Sequence, residues 1–224
     1  MRPQSRPVVS TSMWSIRSAP SVVTSIYMLF RTTIVLTIIS IACGVSATLA
    51  ETNTAVTRSV TQYTLNDIKL VRDDGKVVQL AAELDDSRPV IVNFIFTSCP
   101  SICPLSSQIF SQVQRQTGNN ANSVHLVSIS IDPENDTPAK LRAYAHQFGA
   151  GVGWNHYTGT LSAIIATEKA FGVYGRDKME HVPVTLVRTA SGSNWVRLDG
   201  FATADMLIRE IRAGSDAITP PTGR

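Results

Sequence analysis

The chain has 224 residues, with 20 Lys and Arg against 17 Asp and Glu, for a net charge of +3. The basic residues form no tract, which argues against nucleic acid as a partner. The length suits one ordinary domain plus appendages, and the three cysteines are Cys43, Cys99 and Cys103.

Residues 1–50 read as a targeting segment outside the fold. Arg2, Arg6, Arg17 and Arg31 precede Glu51, the first acidic residue. Residues 32–49 are uncharged and mostly apolar, and Thr48-Leu49-Ala50 suits a signal-peptidase site. Starting at Met28 gives a complete short signal peptide. Cleavage after Ala50 releases an exported protein, whereas retention makes about 18 residues a membrane anchor near the minimum spanning length. Lipidation at Cys43 is a third route, with Ser40 in a poor lipobox. Residues 1–27 are Arg- and Ser-rich, as in a mitochondrial transit peptide. Bacterial export is the leading reading: a periplasmic protein, or one anchored to the inner membrane and facing the periplasm. The alternative is the mitochondrial inner membrane. Either compartment permits disulfides.

Residues 51–62 are polar and read as a linker, and 63–213 as the folded domain. Ile68 to Val71 and Val77 to Leu80, around Asp73-Asp74-Gly75, predict a hairpin. After a loop at 85–89, residues 90–96 form an almost unbroken apolar run, the mark of a strand buried on both faces. Thr97-Ser98 breaks it, and Cys99-Pro100-Ser101-Ile102-Cys103-Pro104 follows. Leu105, Ile109, Phe110 and Val113 then fall at helical spacing, and the helix ends near Gly118-Asn119-Asn120. Two cysteines thus lie on a strand-to-helix turn. A helix N-terminus offers unpaired N–H groups and partial positive charge, which lower cysteine pKa values. Spacing of i, i+4 lets both sulfurs share one face, close a disulfide or hold a soft metal. A structural disulfide and two inert buried thiols are the bland alternatives.

Residues 124–131 predict a second buried strand, and 132–138 a loop in which Asp132 and Asp136 serve as turn or cap residues. Asp136 or Thr137 caps a helix over 139–148, with Pro138 in its first turn. A short strand at 154–157, a helix over 161–171 and a polar loop at 173–180 follow. Strands at 182–187 and 195–198 flank the turn Ser191-Gly192, and a helix covers 204–213. Residues 214–224 form a tail. Trp154, Phe171 and Tyr174 read as core, and His125, His146 and His156 as packing or surface residues. There is no internal repeat and no nucleotide-binding glycine loop. The order implies an α/β fold: a thioredoxin-like mixed sheet flanked by helices, with an N-terminal hairpin. Sites in such folds gather beyond the carboxyl ends of the strands.

The segment FTSCPSICP resembles the signature of the SCO/SenC copper proteins, in which a Cys-x-x-x-Cys-Pro motif follows the central strand of a thioredoxin fold. SISIDPENDTPAKLRAYA is similar to the family's second block. Trp154 with Tyr157-Thr158-Gly159-Thr160, and Phe171-Gly172-Val173-Tyr174, resemble the next two. The resemblance implies a copper ion, Cu(I) or Cu(II), held by Cys99, Cys103 and His181. It implies a copper chaperone for cytochrome c oxidase assembly, with a respiratory enzyme subunit as recipient. Periplasmic thiol or copper-carrier proteins are further partners. Thiolates prefer Cu(I), and imidazole suits either state. Glu180 stands where the family usually has Asp, in a role orienting the imidazole. Val182-Pro183 resembles instead the cis-proline loop of thioredoxin-like reductases. That implies an exported thiol–disulfide oxidoreductase in which Cys99 attacks and Cys103 resolves. A peroxiredoxin fits less well, since Thr97 lies only two residues before Cys99.

Overall fold

The structure is a computed structural model that describes residues 56–85, 87–118, 123–189 and 193–216. The targeting segment, Cys43, most of the tail and the turn Ser191-Gly192 lie outside the described residues. Among the described residues, no helix is long and apolar enough to cross a membrane.

Eight strands form one mixed sheet in the order β1-β8-β7-β4-β5-β6-β2-β3. They are β1 (Thr57–Thr61), β2 (Lys69–Arg72), β3 (Val77–Gln79), β4 (Val90–Ile95), β5 (His125–Ser130), β6 (Trp154–Thr158), β7 (Val184–Arg188) and β8 (Trp195–Asp199). β4, β5 and β6 run parallel, and the remaining pairings are antiparallel. The helices are α1 (Leu80–Leu84), α2 (Ile102–Thr117), α3 (Pro138–Gln147), α4 (Leu161–Ala170) and α5 (Ala204–Asp216).

All six residues of β4 are buried. Their β-branched side chains suit a pleated surface covered on both sides. Alternation sends Val92 and Phe94 into a core with Val127, Tyr157 and Phe171. Ile91 goes to the opposite core, with Phe110, Trp154 and Leu207. Asn93 sits inside the sheet, where Ser128 Oγ donates to its Oδ1 at 2.7 Å. Helix starts follow their caps: Thr137 accepts from the Lys140 N–H at 3.3 Å and Thr160 from the Ala163 N–H at 3.2 Å. Gly172, at φ 63°, ends α4 in the left-handed region that glycine tolerates.

Several expectations change: the strand expected from Val182 begins at Val184, and Leu80 starts α1 rather than ending the hairpin. Thr57–Thr61, placed in a linker, forms β1, paired with β8 from Thr57↔Asp199 to Thr61↔Trp195. Its residues are mostly exposed, so no buried alternation marks it; the free edge of β8 decides. α5 runs to Asp216 rather than Ala213, a boundary difference of the usual size. Tyr174, expected in the core, is 49% exposed, because α4 has ended at Gly172 and the residue lies in the loop that follows.

Candidate metal and thiol site

β4 delivers the chain to the site, and the turn after it is tied down at once. The Cys99 N–H donates to the Phe96 carbonyl at 3.1 Å. Ser101 is the N-cap of α2, but its side chain makes no capping bond. Cys99 Sγ takes that part, accepting from the Cys103 N–H at 3.4 Å. A sulfur thus occupies the place where a helix start favours an anion. Both cysteines are free thiols; Cys99 is 8% exposed and Cys103 1%.

The two sulfurs differ sharply. Burial pushes the Cys99 thiol up, but bonds from the Cys103, Ser101 and Ile102 backbone outweigh it, and its pKa ends below the usual value. Burial pushes Cys103 far above the usual range, and neighbouring Cys99 and the Asp136 charge add to this. The helix-start argument holds for Cys99 alone. Cys103, one turn further in, is buried in an apolar cluster with Ile95, Phe96, Leu141 and Tyr144.

Asp136 does more than turn the chain. Its carboxylate is fully buried and accepts from the Thr97 N–H (3.0 Å), Thr97 Oγ1 (2.5 Å) and Ser130 Oγ (2.6 Å). It therefore ties the segment leading into the cysteines to the end of β5, while Thr137 caps α3. Asp132 accepts from Lys178 Nζ at 2.6 Å and from Asn135 Nδ2 at 3.0 Å. Lys178 also stands 5.7 Å from the centre of the Phe96 ring. A short 3-10 turn, Lys178–Glu180, is thereby held over the base of the cysteine loop, with His181 next in the chain.

The His181 ring hydrogen-bonds the Phe94 backbone, and burial lowers its pKa, so the imidazole is neutral at pH 7. Nε2 is buried and has no hydrogen-bond partner. No three His, Cys, Asp or Glu side chains among the described residues are grouped closely enough to hold a metal ion. The structure brings the two sulfurs together and leaves His181 outside a closed three-donor group. The donor types nevertheless fit a soft metal: two sulfurs, one with its pKa lowered by backbone N–H groups, and an imidazole nitrogen without a partner. Phe94 rather than Glu180 holds the ring. The Val182–Pro183 peptide is trans, like every described peptide, so the cis-proline geometry is not present.

The other histidines behave as packing or surface residues. His125 Nε2 lies 3.1 Å from Asn155 Oδ1, His156 is fully buried on Trp154, and His146 is exposed on α3. A cavity of about 630 Å³ opens beside His181, between α4 and the 173–182 loop. Glu168 lines it, a residue that sequence reasoning passed over. Its only signal is the i, i+4, i+7 stripe of Leu161, Ile165 and Glu168.

Comparison with known proteins agrees with this fold. The SCO1 protein homolog of Bacillus subtilis is 31% identical over 98 residues, 43% of this chain and 50% of that protein. The chain thus matches half the length of that curated relative. The solved structure of BsSco, described as a disulfide switch in a member of the Sco family of cytochrome c oxidase assembly proteins, is 25% identical. Its TM-score is 0.59, covering 70% of this chain and 96% of that one. ScoI of Bradyrhizobium japonicum, solved with copper bound, superposes with a TM-score of 0.54 at 22% identity, covering 69% and 99%. The SCO1/SenC family model matches residues 57–213, from the first residue of β1 to within α5, and the chain belongs to that family.

Proposed function

We propose that the chain is a copper-binding assembly factor. It delivers copper to a respiratory copper enzyme such as cytochrome c oxidase, or prepares the cysteine ligands of that enzyme's copper site. The observation that carries this is the pair of free sulfurs at the start of α2, one of them with its thiolate form favoured by backbone N–H groups. Family membership supports it, as does the same fold in a protein solved with copper.

Cys99 and Cys103 supply two thiolates, and His181 supplies neutral Nε2. Copper is cargo here, and thiolates favour Cu(I). Cys99 gives up its proton more readily than Cys103, whose thiol is raised by burial and must release a proton on loading. The ring of His181 leaves Phe94 to reach the sulfurs, carried by the loop between Gly172 and β7. Asp132 and Lys178 set the resting position of that loop. A domain with such cargo works outside the bacterial inner membrane, through residues 32–49 as leader or anchor. The check is copper retention by the reduced full chain: Cys99→Ala and Cys103→Ala should each lose it, and retention by either variant at the wild-type level contradicts the reading.

The split between a low-pKa Cys99 and a high-pKa Cys103 also favours a thiol–disulfide exchange step. Cys99 thiolate attacks a partner disulfide and releases one partner thiolate. Cys103 then loses its proton and displaces the second, leaving the partner reduced by two electrons and Cys99–Cys103 oxidised. Preparing a recipient's cysteine ligands is this reaction. Cys103→Ser should trap the mixed disulfide, and failure to trap any partner contradicts this second reading.

A further inference from the structure

The cavity beside His181 contains a carboxyl group without a use in copper binding. Glu168 lies on the stripe of α4 that faces the cavity and is 8% exposed. Its carbonyl accepts from the Val173 N–H at 2.8 Å, but its carboxyl group makes no hydrogen bond or ion pair among the described residues. Burial alone pushes its carboxyl up to about 7. A buried carboxylate without a partner is costly, so the group is poised to gain from an incoming donor.

Two of the three Lys and Arg side chains in the lining are already engaged. Lys178 is taken by Asp132 at 2.6 Å, and Arg197 by Asp199 and the Phe171 carbonyl. Three further carboxylates in the lining, Glu134, Asp177 and Glu180, also lack an ion-pair partner among the described residues, against Arg176 as the one lining Lys or Arg without one. The mouth has a different character: Leu161, Tyr174 and Val182 are 51%, 49% and 63% exposed. The buried Glu168 carboxyl, with exposed carboxylates around it, calls for a cation, and the exposed apolar residues call for a polypeptide carrying it, because a free inorganic cation gains nothing from exposed Tyr and Val.

We propose that this cavity is a docking pocket for a partner protein, in which a basic side chain of the partner sits against Glu168 while flanking apolar residues cover Leu161, Tyr174 and Val182. The pocket shares His181 with the proposed metal site. A docked chain therefore lies beside the donor that must move. The proposal concerns where a partner binds, and its test uses metal-free protein so that its outcome is separate from copper binding.

The test titrates the reduced, metal-free full chain with acetyl-Val-Arg-Val-amide and with the neutral isostere acetyl-Val-citrulline-Val-amide, following amide NMR signals. The arginine peptide should shift residues 172–182 and bind at least tenfold more tightly than the citrulline peptide. Glu168→Gln should reduce the arginine peptide to the citrulline level. Equal binding of the two peptides overturns the proposal, as does full affinity in Glu168→Gln. Guanidinium chloride binding as tightly as the peptide also overturns it, because the rim would then contribute nothing. If Glu168→Gln does not fold, the two-peptide comparison on the wild-type chain decides.

Discussion

Cys99 and Cys103 are four residues apart and chemically unlike. Cys99 Sγ is the acceptor at the start of α2, whereas Cys103 is the more deeply buried sulfur of the cluster that both share with Phe96, Leu141 and Tyr144. The thiolate is the nucleophile, so reactivity should follow this difference. Iodoacetamide at pH 7 should label Cys99 at least tenfold faster than Cys103 in the reduced chain, as read by peptide mass spectrometry. Equal labelling would mean that the helix start does not hold the Cys99 charge. Cys103 also sets how copper loading responds to pH. Its thiol, raised by burial, must lose a proton on loading, so Cu(I) affinity should rise by at least about tenfold per pH unit across neutral pH. An affinity independent of pH would show that Cys103 is not a ligand.

At the scale of elements, the site depends on how β4, β5 and α2 are fixed to each other. Asp136 joins the end of β4 to the end of β5 through three donated hydrogen bonds. Asp136→Ala leaves a backbone N–H and two hydroxyls without their acceptor, at a cost of about 3 kcal/mol. Denaturant melts should show the loss, and a change within 0.5 kcal/mol would mean that water replaces the carboxylate. α2 is held by Phe110, 1% exposed, whose ring centre lies 5.8 Å from that of Trp154. β4, in the middle of the sheet, was legible because its run VIVNFI is apolar at every position but Asn93. β1 was not legible, because TRSVT is exposed and acquires its conformation from β8. The exposure of Tyr174 was hidden for a related reason: an aromatic residue after a helix-ending glycine looks like core until the course of the next loop is known.

Over the whole molecule, burial changes what the titratable residues do, and burial is what sequence spacing reports least. The cysteine pair and its strand–turn–helix setting could be read from residues 90–113 alone. The high pKa of Cys103, the support from Asp136 and the unpartnered Glu168 carboxyl depend on packing between segments 30 or more positions apart. His156 shows the same effect on stability. Its ring is stacked at 5.2 Å on Trp154, both nitrogens lack partners, and burial lowers its pKa to about 3. Asp73 Oδ2 stands 3.9 Å from Nδ1, but the depth of the ring decides and keeps it neutral. The unfolded chain takes this proton near 6.5 and the folded chain only near 3. The contribution is therefore complete above pH 6.5 and is lost as pH falls through that window, by about 1.4 kcal/mol per unit. His156→Phe should flatten the fall of stability between pH 6.5 and 4 in denaturant melts. An unchanged slope would place the acid sensitivity elsewhere.

The central claim is that Cys99, Cys103 and His181 hold one copper between them, although His181 rests against Phe94 when no metal is bound. The most direct measurement is Cu(I) stoichiometry and affinity of the reduced full chain, by competition with a chromophoric chelator, beside His181→Ala. One copper per chain, weakened at least tenfold in the variant, is the predicted result. No copper binding, or binding indifferent to His181, would contradict the three-ligand site.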